Sequence, residues 1–398
     1  MQKGHKSFLK YTLFSISLIA VSNTALISPN TPEIVADLGR DKSQIGLIFA
    51  FSTSPGILIA PILGLLADRF GKRRILIISL LFFGLGGIVG TIAGSFKVFL
   101  FSRFLVGIGN SGLIALVVTL FADSWEKTER IKLLGYNSGV IALGLLGFPI
   151  FGGWLSDNTN WRYSVLPMSL SIICAVIVFL IVPKSEKILS ENYSLKNQLV
   201  EIKPVLLKKE TIGALLMAFL IFFTIFGALL TVLPNYLKEE FNFTESQRSY
   251  VFAAIALTAG MAAFVVGRLR DRFGAKKLLI MVSAVAIIGY LLIGSSLGII
   301  SLIAGALIYG LAEGAAIPTL QEIIATNAPE AVRTTVMTVY ISTIRIAQTA
   351  GALIYAYLST QFDNGVLISS TAILFVLTGG VQLISNNKHK RMQKSKIF

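Results

Sequence analysis

The chain has 398 residues, of which 54% are hydrophobic and only 14% charged, with a formal net charge of +15 and a mean hydropathy of +0.77. Those values exclude an ordinary water-soluble globule, in which about a quarter of residues are charged. A single cysteine, Cys174, and two histidines near the ends, His5 and His389, exclude an intrachain disulfide, a thiol-rich or histidine metal cage and a histidine proton relay in the apolar segments.

A membrane helix needs about 20 mostly apolar residues to cross a hydrocarbon core of about 30 Å. Twelve such runs occur, near residues 9–28, 44–66, 75–94, 98–121, 133–155, 163–183, 211–234, 249–267, 278–297, 299–323, 335–358 and 365–385. The first follows Lys3, Lys6 and Lys10 like a secretory leader, but its length and the eleven runs behind it make it span one. An even number of spans puts both termini on one side. With that side assigned to the cytoplasm, 27 of the 35 basic residues lie there, and the far side keeps only Arg40, Lys42, Lys97, Arg162, Lys238 and Arg248. The positive-inside rule therefore predicts a multi-pass protein of the cell membrane with both termini cytoplasmic. The net charge then reflects topology and anionic lipid, not nucleic acid, and the basic tail at 388–396 reads as a lipid-facing anchor.

In chain order, span one offers Asn23 but no acid before Glu33, which falls near the outer surface. The loop between spans two and three reads GLLADRFGKRRIL (64–76), and GRLRDRFGAKKLL (267–279) repeats it 203 residues later between spans eight and nine. In each copy a glycine, Gly64 or Gly267, permits close helix approach one turn before an acid, Asp68 or Asp271. Gly71 and Gly274 allow the tight turn, and a basic cluster follows that includes Lys72 and Arg73 in the first copy. Arg69 and Arg272 complete the shared DRFG. Span four carries Asn110 and Arg103, which either snorkels to the interface or faces a cavity, attracting anions or taking part in proton coupling by tuning a nearby carboxylic acid. Span five, GYNSGVIALGLLGFPIFGGW (135–154), contains Asn137 and small residues about a turn apart, with Pro149 predicted to bend it. Asn23, Asn110 and Asn137 either supply polar cavity contacts or bond to neighbouring helices.

The longest polar stretch, 184–210, divides the chain into six spans over 1–183 and six over 211–398, so the repeated loop marks an internal duplication. In span seven, Phe222, Phe223 and Phe226 either line a pocket for an apolar or cationic molecule or pack toward lipid. Two ionisable residues sit deep in the bilayer, Glu313 in span ten and Arg345 in span eleven, at similar depths on consecutive antiparallel helices. They predict an ion pair or water-linked near-pair, either a static lock or a proton-handling site in which Glu313 gains and loses a proton.

The repeated loop is similar to the signature of the major facilitator superfamily, G-x-x-x-D-R-x-G-R/K-R/K, met here by Gly64, Asp68, Arg69, Gly71, Lys72 and Arg73. The resemblance covers the whole chain. It implies an all-α membrane protein, twelve transmembrane helices in two pseudo-symmetric six-helix bundles around a central cavity opened alternately to either side. It also implies that the loop residues form a charge-relay latch between the halves. Span five resembles the G-x8-G-x3-G-P-x2-G-G gate of drug and proton antiporters at Gly135, Gly144, Pro149, Gly152 and Gly153, with Phe148 replacing one glycine. Arg103 and Gly107 resemble the family's R-x-x-Q-G-x-G stretch, with Val106 in place of glutamine.

The expectation is a secondary carrier without a cofactor or metal, working as a monomer and exporting small amphipathic molecules against protons. An uptake carrier or a lipid or metabolite translocator is the alternative. No phosphate-binding loop of the G-x-x-x-x-G-K-S/T type is present, so ATP-driven pumping is not supported. A membrane enzyme or receptor is disfavoured because the spans show no acid cluster for a metal.

Overall fold

The structure, a computed structural model, describes residues 3–182, 203–295, 297–329 and 332–376. The side chains of residues 3–6, 61, 64, 65, 68, 127 and 334 lie outside the described set, and so do most of the central linker and the basic C-terminal tail. Ten segments among the described residues are long and apolar enough to cross a membrane, in the places of the first ten predicted runs. Span eleven, Arg333–Leu358, is a continuous helix made more polar by its threonines, Arg345 and Gln348. Span twelve begins as the apolar helix Asn364–Val376.

Helices overrun their apolar stretches, at both ends in Lys127–Asn158 for span five and at the C-terminal end in Ile299–Asn327 for span ten. Polar side chains continue a helix into water at little cost, because the backbone remains hydrogen-bonded internally. Several spans are broken. Span one passes from Lys3–Ala25 through a 3₁₀ turn, Ser28–Asn30, into Thr31–Asp37, and span two divides into Ile45–Thr53 and Pro55–Phe70 at a proline without an N–H. In span seven, Ile225–Val232 winds as a π-helix, in which the Thr231 hydroxyl donates to the Phe226 carbonyl at 2.7 Å.

Each half builds its own core. Leu13, Phe83, Phe99, Val117 and Phe121 belong to one, and Leu233, Val251, Tyr290, Leu302 and Ile368 to the other. The halves meet mainly along two helix pairs, span five with span eight and span two with span eleven, with smaller contacts from span seven to spans one and two and from span eight to span one. The duplication exchanges those two pairs, so a single kind of joint is used twice.

At both repeated loops the turn glycine is required. Gly71 has φ +92° and Gly274 φ +78°, each capping one helix and starting the next. A Cβ there is strained by about 1–3 kcal/mol. Gly71→Ala should therefore lower the melting temperature of detergent-purified protein. Gly267→Ala, where an added Cβ meets open space, should melt like the parent; identical melting of the two variants would contradict this account.

The halves are tied together at the end opposite the basic loops. Lys42 pairs with Glu239 at 3.1 Å, Lys238 with Glu33 at 2.9 Å and Arg248 with Glu33 at 2.7 Å. Asp157 of span five accepts hydrogen bonds from the Thr244 hydroxyl and from the Glu245 and Ser246 amides, all at 3.0 Å, and so caps span eight across the boundary. At mid-depth the Thr53 and Thr349 hydroxyls meet at 2.8 Å, and Phe49 meets Phe226 edge to face. At the basic end the described ion pairs stay within a half: Lys72 with Asp123 at 2.7 Å, Arg270 with Glu322, and Lys276 with Glu210 at 3.6 Å. The halves are therefore joined at the far end, whereas toward the basic end Gly135 and Gly139 of span five and Gly260 and Gly267 of span eight face open space.

Candidate functional site: the cavity between the halves

A cavity of ≈ 540 Å³ lies between the halves, walled by spans one and five on one side and by spans seven, eight and ten on the other. Its lining is mainly apolar, including Phe222, Phe226, Leu229 and Ile317, with hydroxyls from Thr24, Ser28 and Ser138 and the amide of Gln321. Among the described residues Glu313 is the single ionisable one lining it, and no described lysine or arginine reaches it. Glu313 makes no hydrogen bond or ion pair among the described residues, so its carboxyl is available to whatever occupies the cavity.

Local structure puts it there. Gly310 and Gly314, three residues before and one after Glu313, lie against span eight, where a Cβ would strike the Ile255 and Ala259 carbonyls. Span ten is thereby pressed onto span eight, and the intervening face of the helix turns Glu313 into the cavity. On its protein side, Tyr290 of span nine and Tyr309 of span ten are buried with ring centroids 4.7 Å apart. The π-wound stretch of span seven places Phe226 between the cavity and Phe49. π-Helical turns cluster at functional sites because they redirect side chains. Nothing in the apolar pattern of 219–230 announced this one.

The expected Glu313–Arg345 pair is not formed. Arg345 points at span two, where a Cβ on Gly56 would lie 3.0 Å from its Nε, and its Nη1 donates to Gln348 at 3.3 Å. Arg103 is 1% exposed, so it neither snorkels nor faces the cavity. It lies inside the first bundle, over the Phe99 ring at 5.1 Å, with its guanidinium donating to the Ser102 hydroxyl at 3.3 Å and to the Met168 sulfur at 3.7 Å. Asn23, Asn110 and Asn137 are absent from the cavity lining, and Asn23 and Asn137 are buried between helices. Phe222 and Phe226 do line it, whereas Phe223 turns away onto Phe219 and Tyr355. Sequence reasoning missed Asn30, which ties span one to the Gly152 carbonyl and the Ser164 hydroxyl at 3.3 and 3.1 Å.

The span-five glycines divide by partner. Gly144 lies against Val21 and Leu18, and Gly152 against the Leu26 carbonyl, both in span one. Gly153 lies against Ser249 and the Glu245 carbonyl of span eight, across the half boundary, while Gly135 faces open space. Pro149 lines the cavity. In the repeated loops no latch joins the halves through described side chains. Among the described residues Asp271 is exposed and pairs with adjacent Arg270 at 3.2 Å, Arg272 lies over Phe273, Arg69 lies over Phe70, and Arg73 donates to the Phe179 carbonyl. The side chain of Asp68 and the surroundings of Gly64 lie outside the described residues. No close approach is made at Gly267 in this conformation.

The family model described as Major Facilitator Superfamily matches residues 13–352 and again 215–395. A relative named multidrug resistance protein 2, from Bacillus subtilis, is 26% identical over 276 residues, 67% of this chain and 68% of the relative. The class H tetracycline resistance protein of Pasteurella multocida is 24% identical over 374 residues, 91% of this chain and 92% of that one. Among solved structures, a bacterial homologue of the human lysosomal transporter Spinster, in an inward-facing and unoccupied conformation, superposes with a TM-score of 0.78 at 15% identity. That match covers 97% of this chain and 98% of the other, and at this identity it speaks to the fold.

Proposed function

Because the chain belongs to the major facilitator superfamily, we propose that it is a secondary carrier working by alternating access, which exchanges protons for small amphipathic cations at Glu313. The observation that carries this reading is the lining of the cavity: apolar and aromatic walls around one carboxyl, with no basic side chain among the described residues. An apolar wall accepts varied hydrophobic shapes, and a lone carboxylate in a low-dielectric site attracts one positive charge. Proton and cation compete for the same oxygen atoms. An empty ionised carboxylate at mid-bilayer is costly, so the site moves between the two faces carrying one or the other.

Export as the direction is supported by relatives named for multidrug and tetracycline resistance. The proposed orientation places the basic loops and both termini in the cytoplasm, so the cavity as described opens inward. A single chain encloses the whole cavity, consistent with a functional monomer.

The test is purified protein in liposomes holding a pH-reporting dye. Lipophilic monocations should trigger proton movement, with little response to anionic amphiphiles of similar size and none to sugars. Equal responses to anions or sugars would overturn the assignment of substrate class.

A further inference from the structure

We propose that the far end of the molecule holds a second proton site, separate from Glu313, in which Glu245 and Asp157 share one proton across the boundary between the halves and latch that end shut.

The far-end cluster contains three carboxyls and two cations. Glu33 is engaged by Lys238 at 2.9 Å and by Arg248 at 2.7 Å, and the side chain of Arg248 is fully buried. Arg248 is only loosely placed for Glu245, at 3.7 Å. Asp157 is held as an acceptor by three donors at 3.0 Å, which favours its ionised form. The Glu245 side chain is 18% exposed, and because its own backbone amide donates to Asp157 at 3.0 Å, the two carboxyls are brought side by side across the boundary. Two carboxyls in contact do not both ionise readily. With Lys238 and the closer approach of Arg248 given to Glu33, the third carboxyl keeps a proton and donates it to Asp157. The charged groups facing the pair are thus Glu33 from the end of span one, Lys238 from span seven and Arg248 from span eight.

Asp157 belongs to one half and Glu245 to the other, so opening the far end must separate them. Each then becomes an ordinary hydrated carboxyl, and the shared proton passes to bulk water. The closed form binds one more proton than the open form, so acid favours closure by up to about tenfold for each pH unit across which that proton is taken up. Gly153 allows the close approach: its Cα faces the Glu245 carbonyl, leaving no room for a side chain between the spans.

The test uses spin labels on cysteines replacing Lys97 and Gln361, exposed residues of the two halves at the far end, in a Cys174→Ser background in nanodiscs. Lowering pH from 8 to 6 should enrich the short-distance population. Glu245→Gln, whose amide still donates to Asp157, should hold that population high at both pH values, and Asp157→Asn should remove the pH response. The response should persist in Glu313→Gln, whatever that variant does to transport. Retention of the full response in both Glu245→Gln and Asp157→Asn, or its loss in Glu313→Gln alone, would overturn the latch.

Discussion

Glu313→Gln should abolish substrate-triggered proton movement in proteoliposomes and weaken binding of cationic substrates about 10- to 100-fold. A hydrogen bond to a charged group is worth about 1.5–3 kcal/mol, and among the described residues no other ionisable side chain lines the cavity to replace it. Glutamine keeps the size and polarity of the side chain, so folding should survive and a neutral amphiphile should bind as before. The separation of the two readouts matters: proton coupling should vanish outright, whereas binding should only weaken. Undiminished pH-dependent transport in this variant would remove Glu313 from the coupling role.

Gly153→Val should stop turnover, with a fall of at least about tenfold, while leaving the protein folded. A Cβ there would meet the Ser249 hydroxyl and come within 2.6 Å of the Glu245 carbonyl, and backbone cannot rotate aside as a side chain can. The conflict exists only with the far end closed. The variant should therefore populate the far-end-open form, seen as a lengthened Lys97–Gln361 label distance at every pH. Gly135→Val, at a site with open space around it in this conformation, is the matched control and should keep the far end closed as in the parent. A Gly153→Val protein that turns over like the parent would show that this contact does not set the closed form.

Much of the architecture was legible in the sequence because it follows from one-dimensional quantities. Apolar run length gave the spans, the doubled DRFG gave the duplication, and a carboxyl deep inside span ten stood out as a charge without water. What stayed hidden depends on azimuth. Glu313 and Arg345 lie at matching depth, yet each residue turns a helix by about 100°, so depth leaves open which neighbour a side chain meets. The same indeterminacy sent Arg103 into the first bundle and took three asparagines out of the cavity wall. The far-end clasp was hidden for another reason. Its members sit at helix ends without periodic pattern, and its partners are far apart in sequence, as Glu33 and Lys238 are.

The separate cores carry a mechanical corollary. Phe226 and Ala352, from spans seven and eleven, are the buried residues of the second half that join the hydrophobic cluster of the first. Interior packing in either bundle can consequently stay intact while the seam opens, and the work of each cycle falls on a narrow band of glycine contacts, the Phe49–Phe226 ring contact, one threonine pair, the Asp157 cap on span eight and a few ion pairs. Enlarging or trimming a side chain deep within one bundle should alter how firmly that bundle holds its shape, and leave almost untouched the balance between the two openings.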